Sequence, residues 1–178
     1  MIDILLTWLV NRDREFLQGG ATGATKPGMK VFPYFATPNT ELQTVSGSVD
    51  LAAAPEEVWA VAGRFSLDWH PHVARSTLIG AGIGQLRRLT TLVGNEVIER
   101  LEAVDDAKRW YRYALVAGVS ASRYTGTIEV KSKGGGSVAA WRVQFLASSQ
   151  LDIVVRGTVS ALVNTGLEGL KARFGVEK

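Results

Sequence analysis

The apolar positions of this chain change period along its length, and the changes mark out its elements. Between Thr44 and Leu51 apolar and polar residues alternate, which predicts a strand with one buried face. Ala54-Pro55-Glu56-Glu57-Val58-Trp59 then reads as a helix start. Proline suits the first turn, where an amide would lack a partner, and the two glutamates favour the positive end of the dipole. Val58, Trp59 and Ala62 are expected inside, and Gly63 ends the helix. Phe65 to Val73 reads as an irregular connection carrying Trp69-His70-Pro71-His72. Six strands are predicted next, at Arg75–Ile79, Gly84–Thr91, Glu96–Val104, Arg109–Val116, Ser122–Lys131 and Ser137–Leu146. Turn signals such as Val93-Gly94-Asn95, Asp105–Lys108 and Lys133–Gly136 recur about every twelve residues, as in an antiparallel meander. From Ser148 to Phe174 the period lengthens, and Val155, Val159, Leu162, Gly166 and Leu170 fall on one face of a long helix.

Strand, helix, six strands and a long helix make an α+β domain. A sheet with one apolar face must be covered, and the last helix is long enough to cover it. Curved around that helix, the sheet would enclose a hollow.

Residues 1–42 break the pattern, so the chain divides into an N-terminal extension and a domain over 43–178. Ile2, Leu5, Leu6 and Leu9 have the spacing of a short amphipathic helix. A Gly/Thr-rich stretch with Pro27 reads as a linker, and VFPYFATPNT as either an arm laid on the domain or a docking segment. The apolar stripe needs a cover. Few cations flank it, which favours protein contact over a membrane, either with the parent domain or with a second copy in a homo-oligomer.

Composition narrows the function. Of the 178 residues 46% are hydrophobic and 21% charged, which fits one globular domain. The net charge of +3 comes from scattered Lys and Arg, so no nucleic-acid partner is expected. No segment reaches the roughly 20 apolar residues of a bilayer span, and no secretory signal is read at the start. Absent cysteines exclude thiol chemistry and fit a cytoplasmic protein. A metal site at His70 and His72 would need at least one carboxylate beside them, because zinc usually takes three or four protein ligands, and neither a metal nor a cofactor is expected.

Pairing the Gly84–Thr91 and Glu96–Val104 segments about Val93 sets Arg87 opposite Glu99, Leu89 opposite Val97 and Gln85 opposite Leu101. This set is more apolar than its counterpart (Arg88, Glu96, Arg100), so it should face inward. Tyr111, Tyr113 and Leu115 share a face on the next strand, and Tyr113 is expected near Glu99. An inward Arg and Glu must pair, because a lone buried charge is costly. The row is either an anchor for a ligand carboxylate, carbonyl or hydroxyl, or a closed structural bridge. Tyr124, Ile128, Trp141, Val143 and Phe145 point to the same interior, where Tyr124 and Trp141 offer polar edges as well as bulk.

The runs AAAPEEVWAVAGRFSLDWHPHV, GIGQLRRLTTLVGNEVIERLEAVDDAKRWYRYAL, SRYTGTIEV and WRVQF resemble the START/Bet v 1-like superfamily (SRPBCC). Within it they are most similar to the bacterial polyketide cyclase/dehydrase-like family, over roughly Val45 to Phe174. The resemblance implies a helix-grip fold, a seven-stranded curved sheet around the last helix with a hydrophobic cavity between them. It places Trp69, His70 and His72 near the cavity mouth, and Gly118-Val119-Ser120 stands where the family commonly has Leu-Pro-Val.

The expected function is binding of a small apolar molecule, lipid-like or aromatic, with Trp69, His70, Arg87, Leu89, Glu99, Tyr111, Tyr113, Tyr124, Trp141 and Leu162 as candidate contacts. The alternative is an enzyme of cyclase, aromatase or dehydratase type. There Arg87 and Tyr113 would polarise a carbonyl, and His70 or Glu99 would move a proton. A third reading is an interaction protein working through residues 1–42.

Overall fold

Alternating inward and outward residues build a seven-stranded antiparallel sheet in the computed structural model, which describes residues 41–147 and 151–176. The extension read over residues 1–42 lies outside the described residues, apart from its last two. The strands are β1 (Gln43–Leu51), β2 (Val73–Ile79), β3 (Leu86–Thr91), β4 (Glu96–Asp105), β5 (Trp110–Ala117), β6 (Ser122–Lys133) and β7 (Gly136–Leu146). They run in the order β1-β7-β6-β5-β4-β3-β2. The meander from β2 to β7 is thus closed by β1, which returns to pair along β7. Among the described residues two helices complete the α+β helix-grip fold, α1 (Pro55–Ala62) between β1 and β2 and α2 (Asp152–Phe174) after β7.

The sheet is curved, and its inner face carries the core. Tyr111, Tyr113, Tyr124, Ile128, Trp141, Val143 and Phe145 are all buried there. Outward positions on the same strands, such as Arg112 and Arg142, are exposed. This is the period-two division that fixes register.

Helix α2 packs along β1 and β7 and touches α1. Its buried stripe is Val155, Val159, Val163, Gly166, Leu167 and Leu170. Val163 rather than Leu162 lies at the centre of that stripe, because it follows Val159 by one full turn; Leu162 is half-buried at its edge. In α1, Val58 and Ala62 are buried as expected, but Trp59 is half-buried. Its indole lies over Gly63, where a Cβ would sit 2.6 Å from Trp59 Cε2, and its Nε1 donates to Asp106 Oδ1 at 3.1 Å.

The connection from Gly63 to His72 covers the interior next to β3. Leu67 is buried there at a φ of +56°, a conformation that side chains other than glycine rarely adopt. At the other side of the same end, Gly118 turns with a φ of +104°, so close to the Glu96 carbonyl that a Cβ has no room. Among the described residues no helix is long and apolar enough to cross a membrane.

Candidate functional site

Arg87 organises the interior. It stands opposite Glu99 in the β3–β4 register, and its Nε donates to Glu99 Oε2 at 2.6 Å. The guanidinium is fully buried and Glu99 is 3% exposed. Nη1 donates to the Phe65 carbonyl at 2.8 Å and to the Tyr111 hydroxyl at 3.3 Å. Cζ lies 4.6 Å from the Phe65 ring centre and 4.4 Å from that of Tyr113, so the cation is held between two aromatic faces. Burial alone would lower the pKa of Arg87. The Glu99 carboxylate and the neighbouring Tyr111 and Tyr113 outweigh it and hold the pKa above its ordinary value.

Tyr113 pairs with Leu101, not Glu99. Glu99 faces Leu115, because the β4–β5 ladder shifts register between Ile98 and Glu99 and again between Leu101 and Ala103. Tyr113 therefore sits one pair deeper than expected, where its ring lies over Gly126 and leaves no room for a Cβ. Its hydroxyl accepts from Trp141 Nε1 at 2.9 Å and hydrogen-bonds the Tyr124 hydroxyl. Burial pushes the pKa values of Tyr111, Tyr113 and Tyr124 up, so all three stay protonated near neutral pH.

Trp69 and His70 approach this row from the connection. The Trp69 and Trp141 ring centres are 6.1 Å apart, and His70 stands edge-on to Trp141 at 5.8 Å. The His72 amide donates to His70 Nδ1 at 3.0 Å, which puts the ring proton on Nε2, and Nε2 donates to the Leu162 carbonyl at 2.9 Å. Burial lowers the pKa of His70. The Leu162 bond partly opposes this, while His72 and Arg87 add to the lowering. Room for this contact comes from glycine: a Cβ on Gly166 would lie 2.5 Å from Trp141 Cζ3 and 2.8 Å from His70 Cδ2, and one on Gly169 would lie 2.9 Å from Pro71.

The structure thus gathers Trp69, His70, Arg87, Glu99, Tyr111, Tyr113, Tyr124 and Trp141 into one contiguous cluster. Leu89 is buried on the same inner face, and Leu162 takes part through its backbone carbonyl. His72 is exposed. Both ring nitrogens of His70 are engaged, which leaves neither free to move a proton. Sequence reasoning missed Phe65 and Gly126, and placed Gly166 on the inward helix face without its contacts to His70 and Trp141. Gly126 had a signal, since it falls at an inward position between Tyr124 and Ile128. Phe65 had none, because it lies in an irregular connection, where no periodicity says that its carbonyl and ring turn to Arg87. Among the described residues no group of three or more potential ligands could hold a metal.

Two grooves on the described surface lie away from this cluster. One of about 770 Å³ runs over the outer sheet face past Ser46, Arg112, Thr127 and Arg142; one of about 370 Å³ follows β1 and α2.

Half-buried apolar side chains continue the inner face towards the end where α2 begins. They are Val97 and Leu115 beside Glu99, Val119 and Ala121 in the β5–β6 connection, and Leu162 on the helix.

A family model described as polyketide cyclase/dehydrase and lipid transport matches residues 43–175. The fold is similar to the protein XoxI of Bacillus cereus, at 28% identity and a TM-score of 0.68, covering 74% of this chain and 94% of that one. It is also similar to the Zhui aromatase/cyclase of Streptomyces sp. R1128, at 18% identity and a TM-score of 0.61, over 75% and 93% of the two chains. Norcoclaurine synthase of Thalictrum flavum matches at 18% identity and a TM-score of 0.61, over 75% and 86%. At these last two identities the likeness is one of fold. No curated protein matches the chain in sequence.

Proposed function

The chain belongs to the polyketide cyclase/dehydrase and lipid transport family, and from this we propose that it binds a small, largely apolar molecule, lipid-like or aromatic, between the inner sheet face and α2. The observation that carries the reading is the placement of α2. The helix lies on β1 and β7, while Val97, Leu115, Val119, Ala121 and Leu162 line the inner face beyond it without full burial. Partly exposed apolar side chains facing a helix across a sheet are a surface an apolar guest would cover. Arg87, Glu99 and the three tyrosines form the polar end of that space, and Trp69 and Trp141 its aromatic wall.

Binding fits this geometry better than turnover does. A general base needs a free lone pair within reach of its proton, and His70 uses both nitrogens inside the protein. Glu99 is tied to Arg87.

Native mass spectrometry of the purified protein tests the reading. The expected result is a 1:1 mass increment that organic extraction removes and that re-forms with an added apolar compound. A protein that purifies bare and takes up no member of a panel of alkyl and aryl compounds would refute it.

A further inference from the structure

The outer face of the sheet carries a row of polar side chains that the core and the interior cluster do not use. Arg112 on β5 stands opposite Thr127 on β6, Thr127 opposite Arg142 on β7, and Arg142 opposite Ser46 on β1. Each alternates with buried neighbours on its own strand, so all of them point away from the core. Guanidinium and hydroxyl thus alternate across the strands, and the two arginines lie two strands apart, with about 10 Å between their Cα atoms. Ser48, Thr125 and Ala140 beside the row are short. Long side chains standing over short ones make the groove of about 770 Å³.

The charge of this groove is uncompensated. Arg112, Arg142, Thr127 and Ser46 make no ion pair or hydrogen bond among the described residues. Glu129 is the carboxylate lining the groove among those residues, and Lys131 holds it at 2.8 Å. A second groove on the outer face, of about 240 Å³ over β2, β3 and β4, differs in this respect. There Arg75 and Arg88 share the space with Glu96, which offsets them.

The arrangement selects its ligand by charge and shape. A phosphate monoester carries about −1.5 to −2 near neutral pH, with three strong acceptor oxygens. It matches two guanidiniums in charge and can take a forked pair of N–H groups from each, with a hydroxyl donating between them. A carboxylate or a phosphodiester brings one negative charge and leaves an arginine unmatched. None of the exposed large hydrophobic residues lines the groove, so a bilayer has no apolar anchor there.

We propose that this groove is a binding site for a soluble phosphate monoester, held by Arg112 and Arg142 from either side and by the Thr127 hydroxyl between them. It lies on the opposite face of the sheet from the interior, so it stands or falls independently of the apolar ligand proposed above.

Glycerol 3-phosphate, glycerate and glycerol share one body and are too polar for an apolar interior. They are titrated calorimetrically against the full chain at about pH 7.5 and low salt, where exposed charges are least screened. The phosphate should bind 1:1 and about ten-fold or more tighter than glycerate, and glycerol should not bind. At about pH 5, where the monoester keeps a single charge because its second pKa is about 6, the affinity should fall several-fold. Arg112→Gln and Arg142→Gln should each lose about ten-fold, the worth of one charge-assisted contact. Arg88→Gln removes the same charge from the same face outside the groove, and should leave the affinity unchanged. All three side chains are exposed, so the variants should keep the parent's thermal midpoint and a loss of binding is not a loss of fold. Vesicles containing phosphatidic acid present the same monoester on a bilayer and should bind no better than neutral vesicles. The proposal is overturned if glycerol 3-phosphate shows no saturable binding, if glycerate binds as tightly, if Arg88→Gln weakens binding as much as Arg112→Gln, or if the phosphatidic acid vesicles bind and the soluble phosphate does not.

Discussion

Arg87 and Glu99 face each other across the β3–β4 hairpin at 2.6 Å, the guanidinium wholly out of contact with water. A pair so deeply buried contributes little over a well-packed apolar pair, yet breaking it leaves a charge with no solvent and no partner. Arg87→Ala should therefore destabilise by about 3–5 kcal/mol, and Glu99→Gln by a comparable amount. Arg87→Ala combined with Glu99→Gln should lose less than the sum of the single losses. Urea denaturation of the four proteins checks this. Additive losses in the cycle would mean that the two residues do not act as a pair.

His70 gives the fold a pH dependence whose sign follows from its burial. Its pKa in the folded protein is lowered from the ordinary 6.5, so the unfolded chain binds the proton more readily. The contribution is present above pH 6.5 and is lost as the pH falls from there towards the folded value. Thermal midpoints measured between about pH 5.5 and 7.5, above the range where carboxylates titrate, should fall on acidification in the parent. His70→Gln should flatten that slope. A parent midpoint that rises on acidification would contradict the assigned burial of the neutral ring.

The glycines of α2 should respond in opposite directions to the same change. Gly157 is exposed and a Cβ there meets nothing within 4 Å, so Gly157→Ala should stabilise by about 0.5–1 kcal/mol through helix propensity. Gly166 is pressed against Trp141 and His70, and the contacts are ring atoms fixed by hydrogen bonds. Gly166→Ala should destabilise by about 1–3 kcal/mol despite the same propensity gain, and should disturb the His70–Leu162 bond. Chemical denaturation gives both values, and equal effects at the two sites would refute the packing account.

Much of this site was legible in the sequence because a period-two pattern admits no half-measures. A one-residue slip at Val93-Gly94-Asn95 would have turned Arg87 and Glu99 to solvent and Arg88 and Arg100 to the core, so the hydrophobic content of the two faces decided the register. Across the next turn the same logic placed Tyr113 imprecisely, since residue types around Asp105–Lys108 do not say that the ladder closes on the Asp105–Trp110 pair. The cover over Arg87 was illegible for a different reason. Its partner from the connection is the carbonyl of Phe65, and any residue carries a carbonyl; Leu67 reaches its buried place through a φ that its identity argues against. Helix periodicity marked Gly166 as inward but could not say that the inward neighbours were His70 and Trp141, because both contacts join it to other elements distant in sequence.

The hydroxyl of Tyr113 offers the sharpest separation of shape from hydrogen bonding. It accepts from Trp141 Nε1 at 2.9 Å in a setting where both residues are at most 1% exposed. Tyr113→Phe keeps the ring over Gly126 and against Arg87, so the packing and the cation–aromatic contact survive. What is lost is the acceptor, and Trp141 Nε1 becomes a buried donor with no partner. The cost should be about 1–3 kcal/mol, the penalty for an unmade hydrogen bond rather than for a cavity. Trp141→Phe removes the donor but also shortens the wall that Trp69 and His70 lean on, so it should cost more, nearer 3 kcal/mol. The double variant then decides the matter: once the indole N–H is gone, the Tyr113 hydroxyl has less to do, and adding Tyr113→Phe should cost little further. Urea denaturation of the two singles and the double yields the coupling directly. A double variant as costly as the sum would mean that the hydroxyl stabilises the fold through Tyr124 alone, and that the Trp141 bond contributes nothing.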